Sequence, residues 1–128
     1  MSAVAPNDWA SSVSIRPLKK GDESVWREMF TNYISALWPG RERQATDQAW
    51  KTFRENDLLT VFRVATIQGS LVGFVNASVV AVPGLASAAC EIQDLYVDWD
   101  ARRRGIGTAL LRSFTGEGWS AVSWYAAE

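Results

Sequence analysis

The feature that most restricts the fold is one continuous run, "SAACEIQDLYVDWDARRRGIGTALLRSF", residues 87–114. Its first part, 87–97, reads as a strand. Its last part carries Ile106, Leu110 and Phe114 at i, i+4 and i+8, the period of a helix face. Between them stand Arg102, Arg103 and Arg104, then Gly105, Ile106 and Gly107. Adjacent guanidinium groups repel one another and glycine weakens a helix, so this junction is costly unless an anion sits at it. After "TGEGW" breaks the helix, residues 120–127 read as a further strand. A strand–helix–strand unit makes a right-handed crossover between parallel strands. The chain must therefore contain a parallel pair with a helix laid over it.

The residues before this unit supply the rest of a sheet. "VSIRPL" (13–18) reads as a short strand. "GDESVWREMFTNYISALW" reads as a helix that Asp22 can cap. Val25, Met29 and Tyr33, with Trp26, Phe30, Ile34 and Leu37 beside them, give it one wide apolar stripe, and Pro39-Gly40 stops it. A polar link, "PGRERQA", leads to a second helix capped near Thr46, with Ala49, Trp50 and Phe53 inward. Residues 58–68 alternate and are rich in β-branched side chains, Gly69-Ser70 reads as a hairpin turn, and 71–82 returns as a strand that Pro83-Gly84 stops. The order β-α-α-β-β-β-α-β gives an α/β fold: a mixed, mostly antiparallel central sheet with helices on both faces.

With 128 residues the chain has room for one domain. We assign 12–128 to it and 1–11 to a loose polar tail. The net charge of −1 argues against a general nucleic-acid binder. The complete absence of histidine excludes a Ser-His-Asp triad, a Cys-His pair and a His-based metal site. Cys90 is the only cysteine, so no internal disulfide and no cysteine cluster for zinc can form. Proton transfer must then use carboxylates, Tyr, Lys, Cys or water. The N-terminal stretch lacks the basic and apolar segments of a signal peptide, and no run approaches a membrane span, so a cytoplasmic protein with no membrane partner is expected. Seven tryptophans is a high count; most belong to packing, while Trp38 and Trp99, in turn-rich stretches, could line a ligand site.

At the arginine–glycine junction the first N–H groups of the helix lack intrahelical partners, and the glycines let a ligand approach the backbone closely. The three arginines add charge, which suits a phosphate or pyrophosphate. The pattern is not a P-loop, having no Gly-Lys-Ser/Thr, and not the dinucleotide fingerprint, since position 110 is leucine rather than glycine. Arg102-Arg103-Arg104-Gly105-Ile106-Gly107 resembles the Gln/Arg-x-x-Gly-x-Gly/Ala signature of the GNAT acetyltransferase superfamily. "DLYVDWDARRRGIGTALL" is similar to that family's central strand, loop and helix along its whole length, and the resemblance extends over about residues 13–127. It implies a GNAT-like acyl-CoA N-acyltransferase fold with acetyl-CoA as cofactor. The pyrophosphate of CoA would rest on the backbone N–H groups from Arg103 to Gly107, and the pantetheine arm would bond the backbone of Leu95 and Val97. The implied cofactor-binding set is Leu95, Tyr96, Val97, Arg102, Arg103, Arg104, Gly105, Ile106, Gly107 and Thr108.

Such a reaction is the direct attack of an amine on a thioester. The amine must lose a proton, because an alkylammonium with a pKa of about 10.4 has no lone pair, and the developing oxyanion needs a donor, by resemblance a backbone N–H of the central strand. Glu91 is the first candidate base: relatives that acetylate proteins carry a glutamate at its position, and partial burial would raise its pKa toward neutrality. Gln93 stands where polyamine-acetylating relatives place a glutamate; it can hydrogen-bond a substrate but cannot serve as a base. Asp94 is the next candidate, with a loop-holding role as its alternative. Cys90 reads as a small core residue.

Relatives continue past "WYAAE" with a helix that ends in a tyrosine near the CoA sulfur, and then with two more strands. This chain stops at Glu128, and Tyr96 and Tyr125 do not match that tyrosine. The reading is therefore a C-terminally shortened fold, with a homodimer or higher oligomer covering the last strand. The expected function is acetyl transfer to a primary amine of a small molecule, peptide or protein, and the alternative is a non-catalytic CoA-binding or oligomerisation module. The link "SALWPGRERQA" and the strands near Asn76 and Trp124 would form the acceptor walls, where Glu42 or Asp47 could attract a cationic amine.

Overall fold

The computed structural model describes residues 12–55, 58–81, 83–84 and 86–124. The expected tail 1–11, Tyr125 and the end of the last strand lie outside the described residues, as does the side chain of Trp124. Strands β1 (Val13–Pro17), β2 (Thr60–Ile67), β3 (Ser70–Val80), β4 (Ala89–Val97) and β5 (Val122–Trp124) form one sheet in that order. The first three pairings are antiparallel and β4 with β5 is parallel, so the sheet is mixed as the crossover argument requires. The helices are α1 (Glu23–Leu37), α2 (Glu42–Arg54) and α3 (Ile106–Arg112).

Alternation along the strands explains why the helices divide between two faces. Val64 and Phe74 point to one side and pack with Leu18, Trp26, Met29, Phe30, Ile34 and Trp50. Their neighbours Ala65 and Val75 point to the other, with Ala77, Cys90, Ile92, Ile106, Leu110 and Phe114. The first face carries α1 and α2, the second α3. Aromatic rings dominate the first core: Trp26 stacks on Phe30 at 4.9 Å between centroids, and Phe74 on Tyr96 at 5.5 Å. Among the described residues no helix is long and apolar enough to cross a membrane.

Several local expectations need correction. Asp22 stands at the N-cap of α1, but its side chain makes no capping hydrogen bond to that helix. Its carboxylate accepts from both terminal nitrogens of Arg16, at 2.8 and 2.9 Å, and from the Lys19 amide at 2.8 Å, so it ties β1 to a 3-10 turn at Lys20–Asp22 that leads into α1. The second helix does not begin near Thr46: it starts at Glu42, whose carboxylate accepts the Gly40 amide, and this shortens the polar link. Thr46 is instead buried, its hydroxyl 3.3 Å from that of Thr31, joining α2 to α1. Val25 and Leu37 of the α1 stripe are exposed. The hairpin turn falls on Gln68 and Gly69 rather than Gly69 and Ser70, because both central residues of this turn need positive φ and have it, at 51° and 84°. Phe114 is fully buried but lies beyond α3, which ends at Arg112, so its periodicity reports burial and not helix.

Candidate active site

A β-bulge on β4 organises the site. Asn76 of β3 faces Asp94, and the next residue, Ala77, faces Ile92, which leaves Gln93 as one extra residue in β4. A bulge of this kind bends the strand and re-aims the side chains after it. Before it, Cys90 and Ile92 point into the α3-side core; after it, Leu95 and Val97 do. Glu91, Gln93, Asp94 and Tyr96 consequently share the side that carries α1. There the Gln93 amide donates to Glu91 Oε1 at 3.0 Å. The Tyr33 hydroxyl, from α1, donates to Asp94 Oδ1 at 2.9 Å, and Asn76 Nδ2 donates to Asp94 Oδ2 at 3.2 Å. Burial first, and then the Asp94 carboxylate beside it, push the Tyr33 hydroxyl far above the usual tyrosine range, so it stays protonated and a donor.

Beyond the bulge, β4 runs into a 3-10 turn at Trp99–Ala101 and then the arginine loop. Two consecutive turns of chain are held by left-handed residues, Arg103 at φ 63° and Gly105 at φ 78°, and α3 begins immediately after. The end of β4, this loop and the first residues of α3 line a cleft of about 530 Å³, closed on its other side by the C-terminal half of α1. Leu95, Tyr96, Val97, Arg102, Arg103, Gly105, Ile106, Gly107 and Thr108 all line it, together with Asn32, Tyr33, Ala36, Leu37 and Ala101. Arg104, though in the same loop, is not among the lining residues.

The two glycines keep this wall low. A Cβ added at Gly105 would meet nothing within 4 Å, and one at Gly107 only Val97 Cγ2 at 3.8 Å. Arg102 turns back on the strand: its Nε donates to the Val97 carbonyl at 2.8 Å, and its guanidinium lies 5.7 Å from the Tyr96 ring centre and 5.2 Å from that of Trp99. Burial raises the pKa of Tyr96 in the lining and of Asp98 just beyond it. Burial likewise raises the Cys90 thiol, which faces the α3-side core and carries no reactive thiolate.

The remaining sequence candidates are dispersed. Glu91 and Gln93 lie up β4 from the cleft lining, Glu91 being opposite Ser78 and Ser123 of the flanking strands. Trp99 is 77 % exposed and serves as a face for Arg102. Trp38 borders a separate hollow with Leu37, Pro39 and Arg41. Glu42 is committed to the Gly40 amide and Asp47 to Arg27 at 2.6 Å; both border a groove between α1 and α2 that also meets Asn32. Sequence reasoning missed Tyr33 and Asn32 as site residues. Their only signal was "TN" (Thr31, Asn32), a polar interruption beside an otherwise apolar stripe.

Comparison with known proteins places these features in a wider set. Residues 23–118 match the family described as the acetyltransferase (GNAT) family. No curated protein matches the chain by sequence. Among solved structures, the fold is similar to a ribosomal-protein-alanine N-acetyltransferase from Brucella melitensis biovar Abortus 2308, at 25% identity and a TM-score of 0.74, covering 91% of this chain and 81% of that one. It is also similar to a possible acetyltransferase from Clostridium difficile 630, at 18% identity and a TM-score of 0.76, covering 91% and 80%. An aminoglycoside N-acetyltransferase in complex with CoA matches at 23% identity and a TM-score of 0.65, covering 90% and 77%.

Proposed function

The chain belongs to the GNAT acetyltransferase family, and on that premise we propose that it transfers an acetyl group from acetyl-CoA to a primary amine. The observation that carries this reading is the cleft between α1, the end of β4 and the glycine-bearing loop, whose lining contains all but one of the residues assigned to CoA from the sequence. The residues present fit such a ligand: a wall without side chains at Gly105 and Gly107, with Arg102 and Arg103 beside it. Backbone N–H groups from Arg103 to Gly107 would hold the diphosphate, with Thr108 at its edge, and the backbone of Leu95 and Val97 would hold the arm. When bound, acetyl-CoA supplies an activated acyl thioester.

The chain's own part is to orient the amine and remove its proton. Glu91 is the proposed base, oriented by the Gln93 amide. We read residues 12–128 as one domain, since the two cores share a single sheet. The test is calorimetry with acetyl-CoA beside a free-thiol release assay over a panel of primary amines. Binding with turnover supports acetyl transfer; binding without turnover of any amine leaves a CoA-binding module; no binding removes both. The double variant Arg102→Ala, Gly105→Ala should abolish CoA binding while the protein remains folded by circular dichroism. Glu91→Gln should lower kcat at least tenfold and leave CoA affinity unchanged.

A further inference from the structure

We propose that Arg102 makes the cleft selective for thioesters that carry a diphosphate: its side chain holds the backbone carbonyl that the ligand's arm must reach, and an anion draws it off. This rests on the reading above that the cleft takes acetyl-CoA. It goes beyond that reading by giving the arginine loop a second task, the exclusion of thioesters that lack the diphosphate.

Three observations carry it. The first is the direction of the strand edge. In an antiparallel ladder successive residues turn their backbone groups to opposite sides. The Asp98 amide donates to the Val72 carbonyl of β3 at 2.8 Å, so the backbone groups of Val97, one residue earlier, turn to the other edge of β4. Among the described residues β5 pairs along that edge only with Cys90, Glu91 and Ile92, and Val97 lines the cleft. The second is what meets this carbonyl. Arg102 Nε donates to it at 2.8 Å, and the guanidinium is kept there by the rings of Tyr96 and Trp99, whose centres lie 5.7 and 5.2 Å away. Arg102 therefore occupies the acceptor that an arm bonded to Val97 would use. The third is charge. The ion pairs among the described residues join Arg16 to Asp22, Arg27 to Glu23 and Asp47, Lys51 to Glu55, and Arg63 to Glu117; none includes Arg102.

Two kinds of ligand meet this contact differently. A neutral arm offers amide N–H groups, and a charged donor makes a hydrogen bond roughly twice as strong as a neutral one. The arm alone cannot take the carbonyl from a guanidinium. A diphosphate offers the guanidinium charged oxygens in a geometry that it pairs with bidentately, and these are better partners than a neutral carbonyl. The side-chain-free wall at Gly105 and Gly107 belongs to the same loop and the same cleft as Arg102. An anion on that wall therefore frees Val97, and the two ends of one ligand assist each other's binding. Trp99 is absent from the cleft lining and acts as a positioning residue, through its contact with Arg102.

The test compares, by calorimetry, the affinity of the chain for acetyl-CoA and for S-acetylpantetheine, which has the same arm and thioester but no phosphate. The wild type should prefer acetyl-CoA. Arg102→Ala should bind S-acetylpantetheine at least fivefold more tightly than the wild type and acetyl-CoA at least twofold more weakly, so that the preference falls at least tenfold. Trp99→Ala loosens the guanidinium but keeps its charge; it should bind S-acetylpantetheine at least twofold more tightly and acetyl-CoA no more weakly than the wild type. Both residues are exposed, so both variants should keep the wild-type circular dichroism. The proposal is overturned if Arg102→Ala gains no affinity for S-acetylpantetheine, whether it binds as the wild type does or not at all. It is also overturned if Trp99→Ala loses both ligands in parallel, which would make the contact a brace for the end of β4. In these cases a wild type that binds acetyl-CoA leaves the acetyl-transfer reading standing. Failure of the wild type to bind acetyl-CoA would instead remove that reading, and this inference with it.

Discussion

Gly73 of β3 lies behind the cleft lining, opposite one of its residues. It pairs with Val97, and a Cβ built on it would stand 2.7 Å from the Tyr96 carbonyl oxygen and 3.4 Å from Leu110 Cδ1. The obstacle is backbone, which cannot rotate away, so the strands themselves must part. Gly73→Ala is expected to lower stability by about 1–3 kcal/mol, as overpacking does elsewhere, and to weaken CoA binding as well, because Tyr96 and Val97 shift with it. Urea denaturation and calorimetry check the two parts; a variant as stable as the wild type would mean that β3 and β4 have slack between them. Asp22 supplies a different single-residue test. The Arg16 hydrogen bonds hold its carboxyl below the usual aspartate range, and the Lys19 amide adds to this against the opposing effect of burial. A depressed pKa means the native state favours the ionised form. Its contribution is therefore fully present above the unfolded value of about 3.9, and is lost as pH falls through the lower folded value. The urea midpoint of the wild type should fall across that acid window, and Asp22→Asn should flatten the fall while lowering stability at pH 7.

At the scale of the elements, the bulge in β4 is the decisive irregularity. Removing Gln93 would set Ile92 directly before Asp94, and the faces would then alternate without interruption: Ile92 to α3, Asp94 to α1, Leu95 to α3. The deletion repairs the ladder opposite Asn76 and Ala77 instead of breaking it. We expect the Gln93 deletion to fold with a melting temperature near that of the wild type, yet to lose at least a hundredfold in thiol release, since the bend at the entry to the cleft is gone and with it the amide that orients Glu91. A deletion variant that turns over normally would show that the bend is incidental. This feature also marks where reading the sequence stops. The strand, the arginine loop and α3 were legible, because apolar spacing and glycine placement are written locally. The bulge was not, because "EIQDLYV" has the same letters whether or not one residue is extruded; only the partner strand reveals the extra residue. Thr46 departs from its local pattern for a related reason. A threonine near a helix start satisfies local capping rules, but here Glu42 meets the Gly40 amide first and the threonine is claimed by a contact with Thr31. Tyr33 belongs by spacing to the apolar stripe, but its hydroxyl meets Asp94, 61 residues away.

At the scale of the whole molecule, the sheet separates two cores that meet few of each other's side chains, and the cleft is where they come together. Tyr33 and Tyr96 pack with the α1–α2 side, whereas Leu95, Val97, Ala101 and Ile106 belong to the α3 side, and all six line the same cleft. A ligand seated there touches both cores at once and bridges elements on opposite faces that otherwise meet through the sheet. Binding to the folded form alone stabilises it by mass action, about 2.7 kcal/mol at a hundredfold excess over Kd. If the bridge is real, that gain is shared by the whole fold rather than confined to one layer. With CoA at that excess, thermal unfolding should remain a single transition at higher temperature. Amide exchange should slow most over residues 32–37 and 95–108 and change least in β1, whose pairing with β2 lies at the sheet's far edge. Protection restricted to 95–108, with α1 exchanging as before, would place the ligand on the loop side only and deny α1 its part in the site.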